Sequence, residues 1–304
     1  MVKSNKITVV SSGLQKIFSP YVQRTGISLK NPYSSDSFAA RNLRKINGSI
    51  IKSINVKSYN AELTEINGII IVFDSCIKED FMYWLKENNP DARIIYWYWN
   101  PAGMSFHMNP KLAPAGIELW TYSETDAEKH GMRMNTPFYF KQIANRYSDS
   151  RILYDVCFIG ADKGRLRYVQ AMEKYFSRAG ISYDFSVMPE HWFLRYFNKK
   201  YKRQMPYREV IERTSQSACI LDLYMDRKAG LSLRAMESLF LGKKLITNNK
   251  IIRKTDFYHP SRIYFLDKTN IEGITEFLHV PVQKADRGLI EKYDFKNWLE
   301  RFLY

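Results

Sequence analysis

The sequence predicts an α/β protein built from two consecutive domains, each with a parallel sheet. Three observations support this fold class. Short, continuously apolar segments alternate with segments of helical spacing, the alternation stops near residue 140, and it restarts at residue 154. Strands that are apolar along their whole length are typical of a parallel sheet covered on both faces. A length of 304 residues also suits two domains of about 150 residues each.

The first half of the chain contains four predicted strands. They are residues 6–10, 68–73, 93–99 and 118–122. Helical spacing of aromatic and aliphatic residues predicts a helix over 78–88, and a possible capped helix covers 35–45. Ser123 is a suitable N-cap for a further short helix, which Gly131 ends.

The second half repeats this alternation. Its predicted strands are residues 154–160, 181–187, 218–223, 244–249 and 262–266, and its predicted helices are 166–178, 207–215, 231–241, 271–278 and 293–304. The aperiodic residues 140–152 are the expected linker. We therefore expect a first domain over residues 1–147, a second over 148–285 and a terminal segment over 286–304.

Composition restricts the cellular context and the partners. The formal net charge of +15 indicates attraction to an anion, which could be nucleic acid, acidic lipid or a phosphorylated small molecule. The densest basic run, residues 199–203, is more simply a solvated loop. Cys76, Cys157 and Cys219 lie far apart and are expected to be reduced core residues, and the scattered histidines indicate no zinc site. The beginning of the sequence lacks the pattern of a secretory signal, so a cytoplasmic location is expected.

The most informative stretch runs from residue 229 to residue 249. It contains a glycine, a short helix, a second glycine and a buried strand, as in α/β domains that bind nucleotides. Ser232 lies at the helix start, and Arg234 and Glu237 share one helical face. The carboxylate could bind a ribose diol and the guanidinium a phosphate, although an intrahelical ion pair is the ordinary alternative.

A second candidate for anion binding follows the strand 154–160. Gly160 and Gly164 would let the backbone approach an anion, and Lys163 or Arg165 would supply charge. The spacing matches neither a Walker loop nor the dinucleotide-binding glycine pattern. An ordinary strand-to-helix turn remains an equal alternative.

Carboxylates at strand ends of the first domain are candidate general bases. Asp74 ends one strand, and Glu124 and Asp126 follow another. The ordinary role of Asp126 is helix capping. His107 is a further candidate, although a loop histidine without a special role is more common. The aromatic run 96–99 could stack on sugars or bases but is more simply part of the core.

Three segments resemble the GT-B-fold glycosyltransferases of bacterial surface-polysaccharide clusters. The resemblance is to the small capsular or lipopolysaccharide biosynthesis proteins and, more distantly, to the CgeB-like group. The segments are residues 118–131 continuing to 137–139; residues 156–160 with Lys163 and Arg165; and residues 230–239 continuing to 244–249 and 256–258.

This resemblance implies two Rossmann-like domains that face each other across a cleft, with a final helix that crosses back to the first domain. It implies that the second domain holds a nucleotide-sugar donor, with a UDP-sugar favoured, and that no metal or cofactor is bound. Glu237 matches the glutamate that binds the donor ribose in these enzymes, and Ser232 and Arg234 match the diphosphate side. The expected donor-binding residues are Gly160, Lys163, Arg165, Tyr224, Gly230, Ser232, Arg234, Glu237 and Asn248.

The resemblance also bears on catalysis. The expected catalytic candidates are Asp126, Asp74, His107 and Glu124. The family often has aspartate where this chain has Glu124, which puts the role of Glu124 in doubt, whereas Asp126 fits. An inverting transfer needs such a base and a retaining transfer does not, and the sequence leaves both open.

The function expected from the resemblance is sugar transfer to a lipid-linked or surface-polysaccharide glycan. The basic surface would hold the enzyme at the anionic inner face of the cytoplasmic membrane. One alternative is a catalytically silent nucleotide-sugar-binding partner of a synthase complex. Another is a nucleic-acid-binding protein, although the sequence contains no RRM signature or zinc finger, so no nucleic-acid partner is expected.

Overall fold

A computed structural model describes residues 7–23, 25–34, 59–74, 77–103, 107–191, 193–225, 230–267 and 270–304. The chain divides into two compact units, residues 1–136 and 137–304. The possible helix over 35–45 and Cys76 lie outside the described residues. The division between the units falls a few residues before the expected linker.

The first unit contains a six-stranded sheet in which all strand pairs are parallel, in the order β2-β1-β3-β4-β5-β6. The strands are β1 (Ile7–Val10), β2 (Ser28–Lys30), β3 (Ile69–Phe73), β4 (Arg93–Tyr98), β5 (Ile117–Thr121) and β6 (Arg133–Met134). Its described residues form the helices α1 (Ser12–Gln23), α2 (Glu79–Glu87) and α3 (Glu124–His130). The sequence missed α1, β2 and β6, because α1 contains Pro20 and the two strands have two or three residues each.

The aromatic strand β4 belongs to the core of the first unit. Tyr96, Trp97 and Tyr98 are buried to 1% exposure or less. The two tyrosines satisfy their hydroxyl groups internally, because Tyr96 donates to the carbonyl of Ile77 and Tyr98 to that of Met108. These rings are therefore structural and do not form a stacking surface for a ligand.

The second unit contains a five-stranded parallel sheet in the order β11-β10-β9-β7-β8. The strands are β7 (Tyr154–Ala161), β8 (Tyr183–Met188), β9 (Ser217–Asp222), β10 (Lys244–Thr247) and β11 (Ile263–Phe265). The helices are α4 (Lys141–Tyr147), α5 (Leu166–Arg178), α6 (Leu194–Phe197), α7 (Tyr207–Ser215), α8 (Leu233–Phe240), α9 (Gly273–His279), α10 (Arg287–Tyr293) and α11 (Phe295–Glu300).

The predicted alternation of strands and helices is confirmed in both units, so the fold is two Rossmann-like α/β domains. Cys157 and Cys219 are free, buried thiols, as predicted. In the paired register Cys219 lies opposite Val156 while Cys157 lies opposite Ile220, so the two thiols point to opposite faces of the sheet.

One local prediction in the second unit is wrong, because residues 141–147, expected in a linker, form α4. The predicted terminal helix over 293–304 is confirmed as α11 and the 3-10 helix Arg301–Leu303 that follows it. It begins only after Asp294, which separates it from α10. Asp294 interrupts the helix because its backbone is extended and forms a parallel bridge with Tyr139.

The terminal helices pack on the segment that opens the second unit. Phe138 lies 4.5 Å from Trp298 and 4.9 Å from Phe295 between ring centroids, and the Lys141 N–H donates to Asp294 Oδ1 at 3.0 Å. These contacts lie within the second unit, and the predicted domain boundary at residue 147 stays a prediction. The crossing of the last helix to the first domain stays a prediction.

No helix within the described ranges has the length and apolarity needed to cross a membrane.

Candidate functional site

The candidate site of the second unit lies where the strand order of its sheet reverses. From β7 the chain passes to β8 on one side, and then returns to β9 and continues to β10 on the other. The carboxyl ends of β7 and β9 therefore open a crevice, and ligands of parallel α/β sheets bind at such a point. Gly160 lies near the end of β7, Arg234 and Glu237 lie on α8, and the loops that follow β7, β9 and β10 carry the other predicted donor-binding residues.

Arg234 joins the two strands at this crevice. Its Nη1 atom lies 3.2 Å from Asp222 Oδ1 at the end of β9, and its Nη2 atom donates to the carbonyl of Ile159 in β7 at 2.7 Å. The guanidinium also lies over the ring of Phe158, 5.1 Å from its centroid. Arg234 therefore forms its ion pair with Asp222, and the alternative of an intrahelical pair with Glu237 is wrong.

Gly160 makes the position of Arg234 possible. A Cβ atom built on Gly160 would lie 1.9 Å from Nη2 of Arg234, well inside contact distance. The backbone conformation itself does not require glycine here, because the φ angle of Gly160 is not positive. Gly160 therefore permits the close approach of another group, as predicted, but that group is the guanidinium of Arg234.

Arg165 is a second guanidinium at the same point, and it is buried, with 8% of its surface exposed. It donates to three backbone carbonyls, those of Ala161, Asp162 and Leu223, and so ties the loop after β7 to the end of β9. Burial, together with the neighbouring positive charge of Arg234, lowers the pKa of Arg165 to about 10. Two cations thus lie close together at the crevice, an arrangement that favours an anion.

Ser232 and Asp222 complete this cluster. Ser232 is the N-cap of α8, because its hydroxyl accepts the Ala235 N–H at 3.2 Å. The same hydroxyl donates to Asp222 Oδ2 at 2.6 Å. Asp222 is buried to 2% exposure and partly neutralises the two arginines. Lys163 adds an exposed positive charge on the loop after β7, where it has a left-handed φ of 45°.

Glu237 lies one turn inside α8 and is 3% exposed. Tyr207 at the start of α7 donates to Glu237 Oε1 at 2.9 Å, and the Tyr207 and Tyr139 hydroxyls are 2.5 Å apart. Burial raises the pKa of Glu237, while the charge of Arg234 and the hydrogen bond from Tyr207 act against this. The carboxylate is therefore held in place by a chain of two tyrosines that the sequence did not reveal.

The remaining predicted donor residues bind the loops to one another. Asn248 and Tyr224 form a reciprocal pair, because the Asn248 side chain accepts the Tyr224 N–H at 2.6 Å and donates to the Tyr224 carbonyl at 2.8 Å. The carbonyl of Gly230 accepts from the side chain of Asn249 at 3.0 Å. The loops after β9 and β10 thus form one hydrogen-bonded rim.

In the first unit, Asp74 and His107 are brought together. His107 Nδ1 lies 2.6 Å from the carbonyl oxygen of Asp74, and His107 Nε2 lies 3.5 Å from Asp74 Oδ2. Both side chains are fully buried, and Asp74 also accepts the Asn100 N–H at 2.8 Å. Burial raises the pKa of Asp74 to about 7, although the hydrogen bonds from Asn100 oppose this, and burial lowers the pKa of His107. Both nitrogens of the His107 imidazole face Asp74, so this buried pair has a structural role in the first unit.

The two acidic candidates of α3 have different surroundings. Asp126 is half-buried and its Oδ2 accepts the Ala102 N–H at 3.0 Å, so it ties the loop after β4 to the helix. Helix capping, its ordinary alternative, is done by Ser123, whose Oγ accepts the Asp126 N–H at 3.2 Å. Glu124 is exposed in the first turn.

Sequence reasoning missed four residues of these arrangements: Asp222, Tyr207, Tyr139 and Asp162. Asp222 ends a predicted strand beside the glycine-led stretch, and that position was an available signal. The two tyrosines gave no signal, because they are distant in sequence from Glu237. Asp162 caps α5 by accepting the Leu166 N–H at 2.7 Å.

Within the parts of the chain that the structure describes, no group of three or more histidine, cysteine, aspartate or glutamate side chains has an arrangement suited to a metal ion. The expectation of a metal-free site stays a prediction.

Comparison with known proteins shows similarity in structure but not in sequence. No protein-family model and no curated protein sequence matches the chain. Among solved structures, an alpha-glucosyltransferase in complex with UDP and a 13-mer DNA containing an HMU base is similar over 99% of this chain and 95% of its own, with a TM-score of 0.56 and 14% identity. The sucrose-phosphate synthase of Thermosynechococcus elongatus is similar over 97% and 96%, with a TM-score of 0.57 and 8% identity.

A third similar structure is AviGT4, a glycosyltransferase involved in avilamycin A biosynthesis. The similarity covers 98% of this chain and 96% of that one, with a TM-score of 0.51 and 10% identity. These similarities extend over nearly the whole length of each chain. The fold is therefore that of the GT-B glycosyltransferases, as the sequence predicted.

Proposed function

We propose that this protein is a glycosyltransferase that moves a sugar from a nucleotide diphosphate sugar, preferably a UDP-sugar, to a lipid-linked or surface-polysaccharide glycan. The observation that carries this proposal is the cluster of Arg165 and Arg234 at the strand reversal of the second sheet. Arg165 is buried there and donates to backbone carbonyls, whereas the half-buried Arg234 pairs with the carboxylate of Asp222, so positive charge remains to bind a diphosphate.

In the proposed reaction, these cations stabilise the charge that develops on the leaving nucleotide diphosphate. Arg234 keeps its Nε N–H free of hydrogen bonds to described residues, and Lys163 extends from the exposed loop after β7. Positive charge fixed before the reaction lowers the energy of the transition state, because no reorganisation is needed when the bond breaks. The transfer would then need no metal ion, which survival of activity in EDTA would test.

Glu237 is proposed to bind the donor ribose through its second oxygen. Tyr207 already holds Oε1, so the carboxylate is oriented before the donor arrives. If the transfer inverts configuration, Asp126 is the proposed general base, because Asp74 and His107 are fully buried and bonded to each other. Asp126 Oδ1 has no hydrogen bond to a described residue, and one oxygen is therefore available to accept a proton.

The test is a binding and turnover panel. Thermal shift and calorimetry with UDP, TDP, GDP and CMP should show selective stabilisation by a nucleoside diphosphate, and release of UDP from UDP-sugars should follow. Single-stranded DNA is the comparison ligand. Stabilisation by DNA alone would contradict the proposal, whereas nucleotide binding without turnover would favour a catalytically silent binding partner.

A nucleic-acid acceptor is a second candidate. It is favoured by the net charge of +15 and by the similarity to an alpha-glucosyltransferase solved with UDP and DNA. Transfer of labelled sugar to DNA rather than to a glycan lipid would distinguish the two acceptors. In either case, donor binding would use the same cluster.

A further inference from the structure

The segment of residues 193–203 combines exposed aromatic rings with positive charge. It contains four aromatic residues, five lysine or arginine residues and no carboxylate. Phe197 is 85% exposed and Tyr196 is 65% exposed. Among the large apolar side chains of the described residues, only Tyr304, the last residue of the sequence, exposes a larger fraction. Adjacent exposed rings of this kind mark an interaction surface, because water solvates them poorly.

The cations of the segment lie on both sides of the rings. Arg195 precedes Tyr196, over whose ring its guanidinium lies at 4.9 Å, and Lys199 and Lys200 follow Phe197 after one residue. Lys199, Lys200 and Lys202 are all exposed. Arg203 is the exception, because Glu209 binds its guanidinium at 2.6 Å. Lys200 and Lys202 interact electrostatically with Glu173.

The segment is anchored to the candidate donor site. Tyr201 donates to Asp162 Oδ2 at 2.6 Å, and Asp162 is part of the loop that carries Lys163 and Arg165. The Lys202 N–H donates to the carbonyl of Val187 in β8 at 2.8 Å. A surface to which the segment binds would therefore lie beside the carboxyl ends of β7 and β8.

We propose that the segment 193–203 docks the second unit onto an anionic lipid surface. Phe197 and Tyr196 would enter the interfacial region, where aromatic rings are favoured, while Arg195, Lys199 and Lys200 contact lipid phosphates. Phe197 has no polar group, so its exposure is explained better by insertion among lipid chains than by contact with a hydrated partner. This docking does not require sugar transfer, but its use in bringing the donor site to a lipid-linked acceptor rests on the proposed function.

The test is co-sedimentation of the full chain with vesicles of phosphatidylcholine alone and of phosphatidylcholine mixed with phosphatidylglycerol in equal parts. The wild-type protein should bind only the anionic vesicles. Neutralising Lys199 and Lys200 together (Lys199→Gln with Lys200→Gln) should weaken binding on the order of twentyfold, since each cation near the surface contributes about fivefold. Tyr196→Ala with Phe197→Ala should weaken it roughly tenfold even in high salt.

Matched controls lie elsewhere in the second unit. Lys284→Gln with Lys296→Gln removes two exposed lysines, and Tyr304→Ala removes an exposed ring. These variants should retain binding apart from a general loss of charge, and thermal unfolding should show that all variants are folded. Equal loss in control and segment variants would overturn the proposal, because binding would then follow net charge alone.

A second arm uses a single-stranded oligonucleotide of mixed sequence. If the segment variants lose oligonucleotide binding while vesicle binding is unchanged, the segment binds nucleic acid and the lipid proposal is wrong. Binding of UDP is measured in parallel. Loss of vesicle binding with normal UDP binding would support the docking role, and failure of UDP binding in the wild type would contradict only the proposed enzymatic function.

Discussion

The guanidinium of Arg234 occupies the space that a side chain at Gly160 would fill. A Cβ atom at that position would lie 1.9 Å from Nη2 of Arg234, and the same Nη2 donates to the carbonyl of Ile159. A glycine in β7 and an arginine in α8, 74 positions apart in the sequence, therefore form one structural unit at the strand reversal. The first prediction follows from this relationship.

Gly160→Ala should displace Arg234 from the crevice. The clash is relieved when the flexible side chain of Arg234 moves away, which breaks its bonds to Ile159 and Asp222. We therefore expect the unfolding free energy to fall by about 1–3 kcal/mol and affinity for a nucleoside diphosphate to fall with it. Denaturant unfolding and calorimetry measure the two effects. Gly103→Ala is the matched control, because a Cβ atom there meets nothing within 4 Å. An unchanged affinity in Gly160→Ala would show that the position of Arg234 does not matter for binding.

Arg234→Met should destabilise the second unit by leaving Asp222 buried without its ion pair. Loss of one partner of a buried ion pair lowers the unfolding free energy by about 3–5 kcal/mol. The loss should be smaller here, because Ser232 still donates a hydrogen bond to Asp222. Adding Asp222→Asn should restore most of the stability but none of the diphosphate affinity, since the positive charge is still absent. If the double variant regained affinity, Arg234 would have only a structural role.

Lys163→Gln should weaken nucleoside diphosphate binding about two- to fivefold without lowering stability, because the side chain is exposed. The effect should diminish as salt is added, since an exposed charge is screened. Lys174→Gln is the control, because it removes an exposed lysine from α5, the helix that follows this loop. Equal effects in both variants would mean that overall charge, and not the loop after β7, attracts the ligand.

Tyr207→Phe should leave Glu237 buried without its hydrogen-bond donor. We expect a loss of about 1–3 kcal/mol in unfolding free energy. The pKa of Glu237 is raised by burial in the folded protein, and removal of the donor raises it further. Its contribution to stability is thus present at low pH and lost as the pH rises, so the variant should differ from wild type more at neutral pH than in acid. A difference independent of pH would contradict ionisation of Glu237 in the folded state.

Asp74→Asn should change how the stability of the first unit depends on pH. The pKa of Asp74 rises from 3.8 to about 7 on folding, mainly through burial, so the folded state holds a proton that the unfolded state releases. The stability from this group is present below pH 3.8 and is lost as the pH rises through about 7. Relative to the variant, wild type should lose up to about 1.4 kcal/mol per pH unit in this window.

Denaturant unfolding at several pH values measures that difference. His107 is present in both proteins, so its own titration largely cancels in the comparison. Parallel pH profiles for wild type and Asp74→Asn would show that Asp74 does not change its protonation within the window.

The sequence predicted the alternation of strands and helices well because it is a local property. Continuous apolar runs such as β3 and β4 and the glycine-led start of α8 carry their own signal. The start of the terminal helix was predicted two residues too early, because Asp294 bridges to Tyr139 and helical periodicity does not record a bond between such distant residues. The same reason explains why α4 escaped notice, since its order depends on contacts with the end of the chain.

For the residues of the candidate site, too, the sequence determined local positions but not the contacts between distant residues. The sequence by itself determined that Gly160, Arg165, Ser232, Arg234 and Glu237 lie at strand ends or on one helical turn, since spacing decides this. Only the tertiary structure decided their partners: Asp222 for Arg234, Tyr207 for Glu237 and three carbonyls for Arg165. Burial makes these charged groups find hydrogen bonds, and the partner is whichever distant group the packing of the sheet and helices brings within reach.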